Sequence, residues 1–476
     1  MKTGLFAKKS IESLLKQAED STSQGLERTL NVFNLTALGV GILIGAGIFV
    51  LTGQVAANYT GPAIALSCVV AATCCGFVGL CYAEFASIIP ISGSGYTYAY
   101  ATLGEIAAWM LGWVLLLEYT FCCATVAVGW AGYMTSFLKD LGIIIPEEFL
   151  SGTVNVPAMF ILALVTLLLL IGIRKSAGLN NVIVALKLGI IFLFILVGIA
   201  YINQQNWLPF IPENTGKFGQ FGLSGIWRGA GAIFFAYIGF DGITAVAQEA
   251  KNPQRDMPIA IIASLIVSTV LYISVALVLV GIVPYQQLNV ADPMAVGVDA
   301  LGAGLGWLKF AIKIGAIAGL SSVILVTMMA LSRIVYAIAI DGLLPPQFAE
   351  IHPEFRTPHL ATIVSGIIAA ILAGFLPINV VGELASFGAL LVFFVISIAV
   401  LVLRHTQPDL PRPFKTPFVP FVPIIGALTS GLQMLAFPLN TWLQLVAWLL
   451  IGLVIYFGYG QKNSVVNQGE RLEVRG

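Results

Sequence analysis

The sequence predicts an all-α polytopic membrane protein, and three observations carry that reading. Charged residues make up 10% of the 476 residues and hydrophobic ones 58%, with a mean hydropathy of +0.95. A soluble chain carries about 25% charge. Apolar runs long enough to cross a bilayer, about 20 residues each, recur twelve times. Two of them, the first and the sixth, are interrupted by glycines. The balanced net charge of zero speaks against a nucleic-acid partner.

The first thirty residues are polar and include Lys8, Lys9, Lys16 and Arg28, without the apolar core of a cleaved leader. They read as a cytoplasmic tail, residues 1–30. The twelve runs follow near 32–56, 62–89, 105–138, 156–173, 180–202, 222–248, 258–283, 307–339, 359–376, 381–403, 418–437 and 441–460. With the N-terminus inside, sixteen Lys and Arg residues fall on cytoplasmic segments. Only Lys139, Lys217, Arg228 and Lys309 fall outside. The positive-inside rule therefore puts both termini in the cytoplasm of a cell-membrane protein. Residues 31–203 hold helices one to five and residues 204–404 helices six to ten. Helices eleven and twelve occupy 405–460, with their preceding cytoplasmic connector, and 461–476 form a second tail.

In span one, Gly39, Gly41, Gly45 and Gly47 stand where a membrane helix would carry leucines. Each costs roughly 1 kcal/mol relative to alanine. Taken alone, the run allows two readings, close packing of small residues or a break lining an enclosed cavity. N–H groups freed at a break would form an anion site. Span six repeats the pattern from Gly229 to Gly242. Two interrupted spans at matching places in two five-helix halves favour the break and point to inverted repeats around a midplane site.

The six cysteines (68, 74, 75, 81, 122 and 123) all lie in apolar runs, where they pack as small residues. His352, His359 and His405 fall in predicted loops, which leaves no intramembrane histidine pair for a metal or haem. There is no phosphate loop of the Gly-x-x-x-x-Gly-Lys-Ser/Thr kind. The reading is therefore not an enzyme, with no cofactor, no metal and no catalytic residue.

Gly45-Ala46-Gly47-Ile48-Phe49 resembles the substrate-binding break of the amino acid–polyamine–organocation superfamily. The run Phe234 to Asp241, followed by Glu249 to Pro258, resembles its cationic-amino-acid-transporter branch, bacterial type. Tyr82-Ala83-Glu84-Phe85, Pro90 to Tyr96, Arg333 to Tyr336 and Asp341 to Pro345 fit the same branch. The resemblance covers essentially the whole chain. It implies the leucine-transporter-like fold, a 5+5 inverted repeat plus two C-terminal helices with helices one and six broken, and amino-acid permease activity by alternating access.

Several site residues follow from that resemblance. The N–H groups around Gly45, Ala46, Gly47 and Ile48 would hold the substrate carboxylate. The carbonyls of Leu43, Phe235, Ala236 and Ile238 would hold its ammonium, with Phe235 as an aromatic lid. Thr327 and Met328 of span eight would face the substrate side chain, leaving small neutral substrates such as alanine and cationic ones such as arginine both open. Glu118, a carboxylate inside span three, could contact a basic substrate, relay a proton, or sit neutral and hydrogen-bonded. Glu84, Asp241, Glu249 and Arg333 lie near cytoplasmic ends, as an inner-gate network or as solvated interface.

Lys187 lies nearly two turns into span five, too deep for easy snorkelling. Intramembrane ammonium groups mark ion or proton paths. In sodium-coupled relatives of this fold an ion lies between spans one and eight. Here that place would correspond to the carbonyls of Gly41 and Ile44 and the hydroxyls of Ser321 and Ser322, with the Lys187 ammonium in the ion's stead. The expectation is proton-coupled symport; the alternative is a lysine that permanently pins span five to span one, in an ion-independent exchanger or uniporter. The partners implied are the amino-acid substrate and the lipid bilayer. A small single-span membrane subunit is left open, and the monomer is taken as the working unit.

Overall fold

The computed structural model describes residues 4–12, 14, 30–91, 93–146, 149–150, 154–171, 176–353, 355 and 357–466. Among these the regular structure is helical, with one isolated bridge between Leu30 and Ala250. The main helices are α1 (Val32–Leu43), α2 (Ile64–Ile88), α3 (Ser94–Thr102), α4 (Glu105–Asp140), α5 (Val156–Ile171), α6 (Ser176–Ile199) and α7 (Gly222–Ile233). They continue with α8 (Pro253–Ile282), α9 (Pro293–Asp299), α10 (Gly306–Ile340), α11 (His359–Phe375), α12 (Ile378–Thr406), α13 (Phe421–Met434) and α14 (Leu439–Ile455).

Local chemistry sets the ends of these helices. Asn31 caps α1 by accepting from the Asn34 N–H at 2.9 Å. Pro253 opens α8 at a position where its missing N–H is not needed. Pro377, Pro420 and Pro438 each precede a helix. Gly104, at φ +98°, turns the chain from α3 into α4, where a side chain would strike the backbone of Phe6. Two expectations shift here. His359 is the first residue of α11 and His405 lies in the last turn of α12, so neither sits in a loop.

Among the described residues eight helical segments are long and apolar enough to cross a bilayer, and four shorter apolar helices accompany them, α1, α5, α11 and α13. This is a multi-pass membrane protein. Helix α4 is the axis of the bundle and its most apolar stretch is largely buried; α10, α12 and α3 pack on it. Helix α8 packs on α2 and α1. The outer helices α6 and α14 turn Leu186, Phe192, Leu196, Leu443, Leu450 and Val454 outward. In bilayer that apolar surface meets lipid, so exposure there has no hydrophobic cost.

The helical pattern of the first span changes at its middle. Helix α1 ends at Leu43, Ile44 leaves helical geometry (φ −80°, ψ 87°), and a π-helical turn begins at Gly47. In the sixth span α7 ends at Ile233 and a 3₁₀ turn covers Phe234–Tyr237. Ile238 is then extended (ψ 132°) and Gly239 takes φ +110°.

A small apolar cavity between the interrupted segments

The two irregular segments touch. A Cβ at Gly47 would lie 2.4 Å from that of Ala236, and one at Gly239 would lie 2.2 Å from a methyl of Ile42. Only glycine permits both approaches. Between the segments lies a cavity with about 20 Å³ of space for a water-sized guest, roughly one water. An amino acid enters only when its walls move apart.

Leu43, Gly45, Ala46 and Gly47 line the cavity on one side, and Phe235, Ala236 and Ile238 on the other. Helix α10 contributes Val323, Val326, Thr327 and Ala330; α4 contributes Tyr119, Cys122 and Val126. Both sets recur at helical spacing, three or four residues apart, with Val326 and Thr327 sharing one turn of α10. Met328 falls beyond the arc spanned by Val323, Val326, Thr327 and Ala330, and it is buried elsewhere instead of lining the cavity. Glu118 is likewise off the lining face and fully buried behind the wall. Phe235 does form part of the wall, 4% exposed.

The backbone groups at the break are partly engaged. The Ile48 N–H donates to the Gly45 carbonyl at 3.2 Å, so Ile48 is already in the new helix. The N–H groups of Gly45, Ala46 and Gly47 precede it at the positive end of that helix. The Phe235 carbonyl accepts from the Ile238 N–H at 3.1 Å. The sequence reasoning missed Tyr272 of α8, whose hydroxyl lies 2.5 Å from the Leu43 carbonyl and 3.1 Å from that of Ala236. One hydroxyl proton serves one carbonyl at a time, and each carbonyl keeps a lone pair for a guest ammonium. Its only signal was a single tyrosine in the apolar run 258–283.

Lys187 is fully buried. Its stem lies along Gly319 of α10, and its ammonium donates to Gly41 at 2.8 Å and Ile44 at 3.2 Å. These carbonyls close α1, where the helix dipole favours a cation. Ser321 and Ser322, expected beside the ammonium, direct their hydroxyl protons into their own helix, to Ile317 and Gly319. Ser321 also accepts from the Trp130 indole at 2.9 Å. Back-bonding of serine within a helix explains the difference.

The acids near the tail side separate into distinct sites. Glu84 is gripped by Arg404 through two 2.8 Å bonds, by Arg412 at 3.2 Å and by the Thr416 N–H. The connector after α12 is thereby pinned to α2. Asp241 instead accepts from Tyr119 at 2.8 Å and Ser94 at 3.2 Å. The side chain of Glu249 lies outside the described residues.

A multi-pass bundle with a small cavity at two irregular backbone segments, where main-chain groups outnumber reactive side chains, is built to bind and pass a small solute. The chain belongs to the amino acid permease family of the amino acid–polyamine–organocation superfamily, whose model matches residues 30–462, and it is a transporter, not an enzyme. It is 45% identical to the methylthioribose transporter of Bacillus subtilis (strain 168), over 98% of this chain and 100% of that relative. It is 42% identical to the branched-chain amino acid permease BcaP of the same organism, with the same coverage. Identity to the vacuolar cationic amino acid transporter 4 of Arabidopsis thaliana is 37%, over 85% of this chain and 68% of the relative.

Proposed function

We propose that this permease is a secondary active transporter of L-amino acids in the cell membrane, driven by proton symport, with both termini in the cytoplasm. Its twelve spans form a 5+5 inverted repeat with two added helices, and spans one and six are the broken pair. Access alternates around the cavity. The carboxylate docks on the N–H groups of Gly45, Ala46 and Gly47, and the ammonium on the carbonyls of Leu43, Ala236 and Ile238. Protons are the coupling ion, no cofactor is needed, and the monomer is the working unit. The observation that carries the coupling is the Lys187 ammonium held by the carbonyls that end α1. Losing its proton removes the cation from that helix end and frees the interrupted segment to move.

The aliphatic lining, from Val126 to Val323 and Val326, supports neutral aliphatic substrates over cationic ones. The likeness to a branched-chain permease supports the same choice. A second reading, uptake of a neutral sugar thioether, is favoured by the likeness to a methylthioribose transporter. Such a solute carries no carboxylate for the helix end.

The test is uptake of labelled leucine, alanine, arginine and methylthioribose into sodium-free proteoliposomes under an inward proton gradient, beside Lys187→Ala. Gradient-driven accumulation of leucine, lost in the variant, is the expected result. Equal accumulation by the variant leaves exchange without ion coupling. Accumulation of methylthioribose alone replaces the amino-acid reading.

A further inference from the structure

A second buried acidic site lies just behind the cavity wall, and it is chemically unsatisfied. Glu118 of α4 is fully buried, and neither carboxylate oxygen has a hydrogen-bond partner among the described residues. Asp241, also fully buried, has one satisfied oxygen and one without a partner among the described residues. The hydroxyls of Tyr82 and Tyr98, both wholly enclosed, make no well-formed hydrogen bond among the described residues, with Ser94 and Thr244 as their polar neighbours. Tyr119, the residue after Glu118 in α4, donates to Asp241, which brings the two carboxylates to one region of the bundle. Tyr82 packs edge-on against Tyr98 at 6.1 Å and against Phe240, the neighbour of Asp241, at 5.5 Å.

An ionised carboxylate without a partner in such surroundings is prohibitive, and two adjacent ones more so. One proton taken up by the pair relieves the arrangement: Glu118 as a neutral acid has a donor to offer, while Asp241 keeps its bonds from Tyr119 and Ser94. The other titratable groups facing the pair are Tyr82 of α2, Tyr98 of α3, and Tyr119 and Cys122 of α4. All four are neutral when protonated, so none supplies a counter-charge. Tyr119 is the link to the cavity. Its ring forms part of the wall while its hydroxyl bonds Asp241.

We propose that Glu118 and Asp241 form a proton-binding site, separate from Lys187, that takes up one proton with each substrate and releases it to water on the face carrying the two tails. Tyr119 reports occupancy of the cavity to the pair. The inference rests on the transporter reading above and adds a second titrating centre to it.

Glu118→Gln keeps the shape and the donor of the protonated acid but does not release a proton. The experiment reconstitutes wild type, Glu118→Gln and Lys187→Ala and measures leucine counterflow, gradient-driven accumulation and substrate-driven proton uptake. In Glu118→Gln, with Lys187 intact, counterflow is expected to persist, accumulation to fall below wild type, and proton uptake per substrate to drop by about half; Lys187→Ala removes the other half. Accumulation and proton uptake equal to wild type would overturn the proposal and make Glu118 a permanently neutral packing acid. Loss of arginine binding with leucine accumulation intact would also overturn it, in favour of a subsite for cationic side chains. Failure of the underlying reading is distinct, because wild type itself would then not accumulate. Should Glu118→Gln not fold, infrared difference spectra of wild type decide. A protonated-carboxyl stretch that changes on leucine addition supports the site, and its absence sinks it.

Discussion

The hydroxyl of Tyr272 lies within hydrogen-bonding distance of both the Leu43 carbonyl, at 2.5 Å, and the Ala236 carbonyl, at 3.1 Å. One side chain of α8 therefore bridges the two places where the chain leaves regular helix. Those carbonyls are the ones proposed to hold the substrate ammonium, so the tyrosine orients acceptors it does not replace.

Tyr272→Phe removes that bridge and leaves the ring, which packs against Tyr237 at 5.5 Å. A single net hydrogen bond is worth about 1 kcal/mol, so folding survives and the melting temperature shifts by a few degrees at most. The acceptors lose their alignment, and KM for leucine rises about tenfold at nearly constant expression. Uptake kinetics beside a thermal melt in detergent check this; unchanged KM would make Tyr272 a packing residue only.

Gly47→Ala puts a methyl 2.4 Å from the Ala236 Cβ and 2.6 Å from its Cα. Backbone on the far side cannot yield as a flexible side chain can, so the two segments must separate. Transport is expected to fall below a tenth of wild type. Gly76→Ala is the control. Gly76 lies on the exposed face of α2 with nothing within 4 Å, and alanine there favours the helix by up to ~1 kcal/mol. Equal activity of the two variants would show that the close approach is not needed.

Lys187 and the two glycine-interrupted runs were legible in the sequence because each breaks a strong rule, charge in an apolar run and glycine where leucine belongs. The placement of Thr327 on the cavity was legible, but that of Met328 was not. Adjacent helical residues point about 100° apart, and the run alone does not say which face turns inward. Tyr272 was hidden for a different reason. Its partners are backbone atoms 229 and 36 residues away, and a tyrosine in an apolar span looks like ordinary packing. The grip of Arg404 and Arg412 on Glu84 joins residues more than 300 positions apart, beyond any local pattern.

The two tails meet on the end of α10. Lys9 pairs with the Asp341 carboxylate, which also accepts from Tyr96 at 2.6 Å, and the Val465 N–H donates to the Asp341 carbonyl at 3.1 Å. Lys9→Ala is expected to loosen this end and expose the cavity from that side. In a protein whose only cysteine is Cys122, a cavity-lining residue, labelling by an impermeant maleimide from the tail side should quicken several-fold. An unchanged rate would mean the ion pair does not restrain opening.

At the opposite end of the bundle Arg228 of α7 pairs with Glu383 of α12, and Thr441 of α14 donates to the same carboxylate at 3.2 Å. The Arg228 guanidinium also lies over Tyr59 at 5.3 Å and Phe437 at 5.0 Å. Both partners are largely buried, 8% and 16% exposed. Removing one leaves the other charge unpaired, whereas exchanging both keeps the pair. Glu383→Ala is therefore expected to destabilise by about 3 kcal/mol, and Arg228→Ala by a similar amount with the loss of two aromatic contacts. Glu383→Gln retains an acceptor for Arg228 but not the counter-charge, so it should cost less than Glu383→Ala. Thermal melts of the three variants rank these effects. If Glu383→Gln proves as damaging as Glu383→Ala, charge and not hydrogen-bond geometry holds α7 to α12.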